Sequence, residues 1–119
     1  MRKVAVVGNR NGWKQRRVFE VLEQHNITND GDDDMIISGG AIGVDTYAQE
    51  YAELHGIPIL IYYPNNDIDS PKRYYERNGK IANDCDIMIA FDNNPGKTGT
   101  TNARHQAMDL QKRVIHILK

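Results

Sequence analysis

The stretch IISGGAIGVDTYAQEYAELHG, residues 36–56, passes from a β-branched run through paired glycines directly into an amphipathic helix. Ile36, Ile37 and Ser38 read as the end of a strand, because a short apolar run closed by glycine suits a strand covered on both faces. Val44, Tyr47, Ala48, Tyr51, Ala52 and His55 then fall along one stripe at helical spacing, and Gly56 supplies the stop. A strand, a glycine-bearing turn and a helix in so short a span make half of a parallel β-α-β unit.

The same alternation extends in both directions. Residues 4–7, closed by Gly8, predict a first strand, and residues 14–25 a helix with Val18, Val21, Leu22 and His25 on one face. Residues 35–38 form the second strand and 57–62 the third, where Pro58 argues against a long central pairing. Ser70 and Pro71 predict the cap and first position of a helix running to about residue 83. Residues 87–91 predict a fourth strand. Thr100 or Thr101 would cap a last helix with Ala103, Gln106, Ala107 and Leu110 on one face, and residues 114–118 close the series. The acidic TNDGDDD at 28–34 is a turn by composition, and its spacing matches no calcium loop. The fold class that follows is α/β: a Rossmann-like three-layer sandwich, with a five-stranded mostly parallel sheet and helices on both faces, in one domain over residues 1–119.

With 39% hydrophobic and 26% charged residues the composition is that of an ordinary globular domain. A net charge of −1 gives the chain no overall electrostatic footprint for nucleic acid or an anionic membrane, although Arg10, Lys14, Arg16 and Arg17 cluster locally. Cys85 is the sole cysteine, which excludes an internal disulfide and leads us to expect a reducing, cytoplasmic setting. No apolar run approaches a membrane span or a secretory signal.

The functional signal lies in three glycine-bearing loops, GNRNGW, SGGAIG and NNPGKTGTT, which follow strands one, two and four. In parallel sheets ligands sit at the carboxyl ends of the strands, where strand order reverses. Glycine admits a ligand close to the main chain, and a helix start just beyond adds N–H groups and partial positive charge that favour phosphate. The candidate ligand residues are Gly8, Asn9 and Arg10 in the first loop; Gly39, Gly40, Ala41, Gly43 and Asp45 in the second; and Gly96, Lys97, Gly99, Thr100 and Thr101 in the third. Arg77 and Asn78 join them from the third helix, where Arg77 offers a planar fork to phosphate that Arg10 or Lys97 would supplement. Asp45 reads either as an acceptor for a ribose hydroxyl or as a complement to the helix dipole. Trp13 reads either as a platform for a base or as a packing anchor.

Each glycine alone is explained by a tight turn; two loops of matching form on one rim point to phosphate or sugar-phosphate. The P-loop pattern fails, because Phe91 stands five residues before Gly96 where a glycine is needed, and the GxGxxG dinucleotide fingerprint is also missing. Among His25, His55, His105 and His116 no pair has metal-ligand spacing, so no metal site is expected, and no Ser or Cys has a nucleophile setting.

SGGAIGVDTYAQEYAELHGIPILIYYP together with RYYERNGKIANDCDIMIAFDNNPGKTGTTNARHQA resembles the SLOG superfamily. That group joins the DNA-processing protein A family, the LOG-type phosphoribohydrolases and many small bacterial and phage proteins. The resemblance implies a sheet that binds nucleotides or nucleotide-derived ligands at these same loops. It matches Gly39, Gly40, Gly43 and Asp45 to the first motif, Arg77 and Asn78 to the second, and Gly99, Thr100 and Thr101 to the third. It also suggests, by analogy, a homodimer.

LOG-type enzymes cleave the N-glycosidic bond of nucleoside monophosphates with an Arg, which Arg77 matches, and a Glu, where this chain has Ala103; Lys97 replaces a glycine of the same motif. Lacking that carboxylate, the hydrolase reading stands behind a non-catalytic one, with Arg77, Asp45 and Asp92 as the remaining catalytic candidates. GGAIGVDTYAQEYAELHG and TTNARHQA look closer to the DNA-processing pattern, which implies single-stranded DNA as a second class of partner. The leading expectation is a nucleotide-binding sensor or ligand-binding module that requires no cofactor.

Overall fold

Strands and helices alternate without exception among the residues that the computed structural model describes, 1–28, 34–93 and 98–119. The elements are β1 (Arg2–Gly8), α1 (Gln15–Gln24), β2 (Asp34–Ser38), α2 (Val44–His55), β3 (Ile59–Ile61), α3 (Lys72–Asp84), β4 (Ile87–Phe91), α4 (Gly99–Asp109) and β5 (Arg113–Ile117). Most of the acidic turn expected at 28–34, and the candidate residues Gly96 and Lys97, lie outside the described residues.

The strands form one sheet in the order β3-β2-β1-β4-β5, and every pairing is parallel. The chain builds outward from β1 through β2 to β3, then returns to lay β4 against the opposite side of β1. Strand order therefore reverses between β1 and β4, and the register Gly8↔Phe91 brings their carboxyl ends level. That reversal is where a crevice opens in sheets of this kind.

The pleat divides each strand between two cores. Val4 and Val6 of β1, with Ile87, Ile89 and Phe91 of β4, meet Val18, Leu22, Val44, Ala48 and Tyr51 from α1 and α2. Ala5 and Val7, with Met88 and Ala90, meet Ile81 and Ala82 of α3 and Ala103 and Ala107 of α4. Burial on both faces is why these strands read as unbroken apolar runs rather than alternating ones. Each large side chain so buried contributes about 1.5–3 kcal/mol relative to exposure.

Several element ends differ from those the sequence suggests, for identifiable reasons. β3 covers only Ile59–Ile61 because Pro58, although its carbonyl accepts from the Ile36 N–H at 2.9 Å, has no N–H to return to the ladder. The N-cap of α3 is Pro71 rather than Ser70, and no side chain caps it. The cap of α4 is Thr98, neither Thr100 nor Thr101: its Oγ1 accepts from the Thr101 N–H at 3.0 Å. Leu110 falls at the C-cap of α4 and is 48% exposed, so it leaves the buried stripe of Ala103 and Ala107. Trp13 is buried edge-on against Phe91, with ring centroids 5.1 Å apart. It is a packing anchor and offers no platform to a ligand.

Candidate functional site

The carboxyl ends of β1, β2 and β4 surround a cavity of about 740 Å³, within the size range of small-molecule sites. Gly8 at the end of β1 and Asn9 and Arg10 beyond it line the cavity, with Gly39, Ala41 and Asp45 after β2, and Thr98, Gly99 and Thr100 where α4 begins. Arg77 and Asn78 enter from α3 together with Tyr74 and Tyr75. Val7, Pro71, Ile81 and Ala103 supply apolar wall. The two glycine-bearing helix starts, of α2 and α4, thus open onto one space.

Close approach shapes the turn before α2. Gly43 has φ +82°, and a Cβ there would lie 2.4 Å from the Arg10 carbonyl oxygen. Gly40, at φ +70°, packs instead toward Ile61 and Tyr63. Gly40 and Gly43 are absent from the cavity wall; they bend the backbone so that Gly39 and Ala41 reach it. Gly39 leaves room for Arg77, whose Nη1 lies 2.6 Å from where a Cβ would stand.

Arg77 and Asp45 are both tied to this turn. Arg77 Nη1 donates to the Gly39 carbonyl at 2.7 Å and to that of Tyr62 at 3.4 Å, while Nε donates to Asn78 Oδ1 at 3.0 Å. Asp45, in the first turn of α2 and only 6% exposed, accepts the Ala41 N–H on Oδ2 at 3.1 Å. That amide is therefore occupied, and the Gly40 N–H turns to Ser38 Oγ at 3.3 Å. The picture of an anion held by free amides at 39–41 is corrected accordingly: around Ala41 the anion-like partner is the protein's own carboxylate. Burial pushes the Asp45 carboxyl up to about 6, against the opposing pull of the Ala41 amide and the charges of Arg77 and Arg10. Burial likewise lowers the Arg77 guanidinium, and Asp45 counters it; a guanidinium stays protonated throughout.

A chain of polar contacts runs beneath the cavity from one loop to the other. Asn78, buried on α3, accepts from Arg77 and donates Nδ2 to the Gly99 carbonyl and to Asn102 Oδ1, both at 3.2 Å. Gln106 Nε2 continues it to Asn102 Oδ1 and the Tyr75 carbonyl. On the β1–β4 side Asp92 is the organiser. It is fully buried and accepts from Thr101 Oγ1 at 2.5 Å, Thr98 Oγ1 at 3.1 Å and Asn9 Nδ2 at 3.3 Å. Asp92 and Thr101 do not line the cavity. Asp92 is thereby corrected from catalytic candidate to structural tie, and Thr101 from ligand contact to its partner. Asn9 lines the cavity, yet its amide is committed to Asp92 and Thr100 and its Oδ1 to the Asn93 N–H.

Tyr74 and Tyr75 are the aromatic lining residues that the sequence reading missed, and Asn11, Asn93 and Thr98 are further polar ones. The two tyrosines sit three residues before Arg77 and Asn78 respectively, hence on the same helical face, and that spacing was the available signal. The Arg77 guanidinium lies 5.9 Å from the Tyr74 ring centroid. Ala103, where LOG-type enzymes carry Glu, also faces the cavity. Among the described residues no group of three or more His, Cys, Asp or Glu could hold a metal ion, and no described helix is long and apolar enough to cross a membrane.

No family model matches this chain, and no curated protein does. Solved structures do. DNA processing protein A from Streptococcus pneumoniae aligns at TM-score 0.76 and 23% identity over 97% of this chain and 50% of that one. The Helicobacter pylori protein of the same name, described for its single-stranded DNA binding mode, aligns at 0.73 and 19% over 97% and 64%. The fold is the one that these proteins share. A structural-genomics target, TM1055, aligns at 0.71 and 19% over 96% of this chain and 72% of that one. At these identities the likeness is one of fold. This chain spans half of the first DNA processing protein and under two thirds of the second.

Proposed function

We propose that this chain is a SLOG-like domain that binds a nucleotide or nucleotide derivative and acts as a ligand-binding module or sensor in the cytoplasm. The observation that carries the reading is the convergence of the β1, β2 and β4 loops on one cavity with Arg10, Arg77 and Tyr74 in its wall. Arg10 and Arg77 answer phosphate, the start of α4 at Gly99 and Thr100 adds its partial positive charge, and the tyrosines of α3 offer rings to a base. Gly99 has nothing within 4 Å of a Cβ position, so its backbone meets open space at that helix start. A binding role is favoured over a catalytic one because, among the described residues, Ala103 stands where LOG-type enzymes carry a carboxylate and Asp92 is buried against Thr98 and Thr101.

A thermal-shift screen over nucleosides and their mono-, di- and cyclic phosphates tests the proposal. A ligand at 100 times its Kd adds about 2.7 kcal/mol of stability, which is a readily measured rise in Tm. Tyr74→Ala is expected to reduce the shift. Silence across the whole panel would refute the reading.

Single-stranded nucleic acid is the second reading, favoured by the Helicobacter pylori neighbour and by two exposed rings: Tyr75, 43% exposed in the cavity wall, and Tyr63, 71% exposed beside Gly40. Bases stack on such rings beside cationic side chains. This reading expects a labelled oligonucleotide to be retarded at low salt and released steeply as salt rises.

A further inference from the structure

Among its described lining residues the cavity has one carboxyl group, Asp45, against two arginines. The charged groups that bear on Asp45 are Arg77 from α3 and Arg10 from the β1–α1 loop, while the Ala41 and Gly39 amides of its own turn hold it from below. Arg77 is anchored through Nη1 and Nε, which leaves Nη2 without a protein partner among the described residues. An anion that reaches Nη2 enters a pocket already holding the Asp45 carboxylate, and two negative charges at such range repel strongly when water is scarce.

Building on the nucleotide reading, we infer that Asp45 selects ligands by charge: an anion seats against Arg77 only together with a proton taken up from solvent by Asp45, whereas an uncharged nucleoside meets the ionised carboxylate as an acceptor for its hydroxyls. The buried setting makes that proton available close to neutrality, since the carboxyl is pushed up to about 6 before any anion arrives. Below that pH Asp45 is neutral and the charge of Arg77 stands uncompensated. Above it the anion-competent fraction falls, approaching tenfold for each pH unit.

The experiment compares cyclic AMP, a phosphodiester whose single charge is constant over the range, with adenosine between pH 5 and pH 8. The affinity for cyclic AMP is expected to fall by nearly tenfold per unit above pH 6, with no such fall for adenosine, and Asp45→Asn is expected to flatten the profile. Should that variant not fold, calorimetry of the wild-type chain at pH 7 in two buffers of different ionisation enthalpy counts the proton directly, with close to one taken up per cyclic AMP. Cyclic AMP bound without slope or proton uptake, or an equal slope for adenosine, overturns the inference and leaves the nucleotide reading standing. Failure of both ligands to bind at every pH overturns the inference, and silence across the whole nucleotide panel overturns the nucleotide reading with it.

Discussion

Gly43 holds φ at +82°, and the atom its Cβ would strike, at 2.4 Å, is a backbone carbonyl oxygen that cannot rotate away. Gly43→Ala is therefore expected to lose about 2–4 kcal/mol of stability in urea unfolding, from left-handed strain and the forced shift of the Arg10 backbone together. Gly99 makes the opposite demand. It opens α4 with free space around it, so Gly99→Ala should change stability by no more than about 1 kcal/mol, in the favourable direction, because alanine is the better helix former. The added methyl nonetheless enters the cavity and should weaken nucleotide binding, so ligand titration and unfolding will separate the two glycines. Asp45 gives a pH signature in the folded chain itself. Its folded pKa of about 6 lies above the ordinary 3.8, so its contribution to stability is fully present below pH 4 and is lost as pH rises through 6. Asp45→Asn should then match the wild type near pH 4 and exceed it at pH 8, by at most about 3 kcal/mol. Denaturant midpoints across that range check the sign.

At the level of elements, α4 depends on one threonine. Thr98 caps it, accepting from the Thr101 N–H, and donates to Asp92; Thr98→Ala should cost about 1–2 kcal/mol. Asp92→Ala strips the buried acceptor from Thr98, Thr101 and Asn9 and should cost about 3 kcal/mol, read as a lowered Tm, since unsatisfied buried donors remain. By comparison α2 has no side-chain cap, and the Asp45 carboxylate is bonded instead to the Ala41 amide one turn earlier. The asymmetry explains why the two helix starts, alike in sequence, differ in the site. One has an internal carboxylate, and the other opens without an acid in its first turn.

For the molecule as a whole, what the sequence revealed follows the range of the forces involved. Strands buried on both faces announce themselves as runs such as Val4 to Val7 and Ile87 to Phe91, so the three-layer plan was legible. Strand order was not. Nothing in local spacing pairs Gly8 with Phe91, since that register is set by contacts 83 residues apart. The site divides similarly. Glycines and Arg77 stand out because they are rare solutions to local problems, whereas Asp92 reads as a catalytic candidate because nothing local shows that Asn9, from another loop, bonds to it. Tyr74 and Tyr75 were passed over because aromatic residues on a helix usually serve packing.

The central place of β1 has a consequence for how the chain is made. β2 is complete at residue 38 and β4 only at residue 91, about fifty residues and roughly 3–10 seconds later at typical ribosomal speed. Throughout that interval the nascent polypeptide carries the apolar run of β1 with one rim of amides and carbonyls unmatched, an invitation to aggregation. A fragment ending at residue 84 should precipitate where the full chain stays dispersed, and yield in cells should fall sharply when holdase chaperones are depleted.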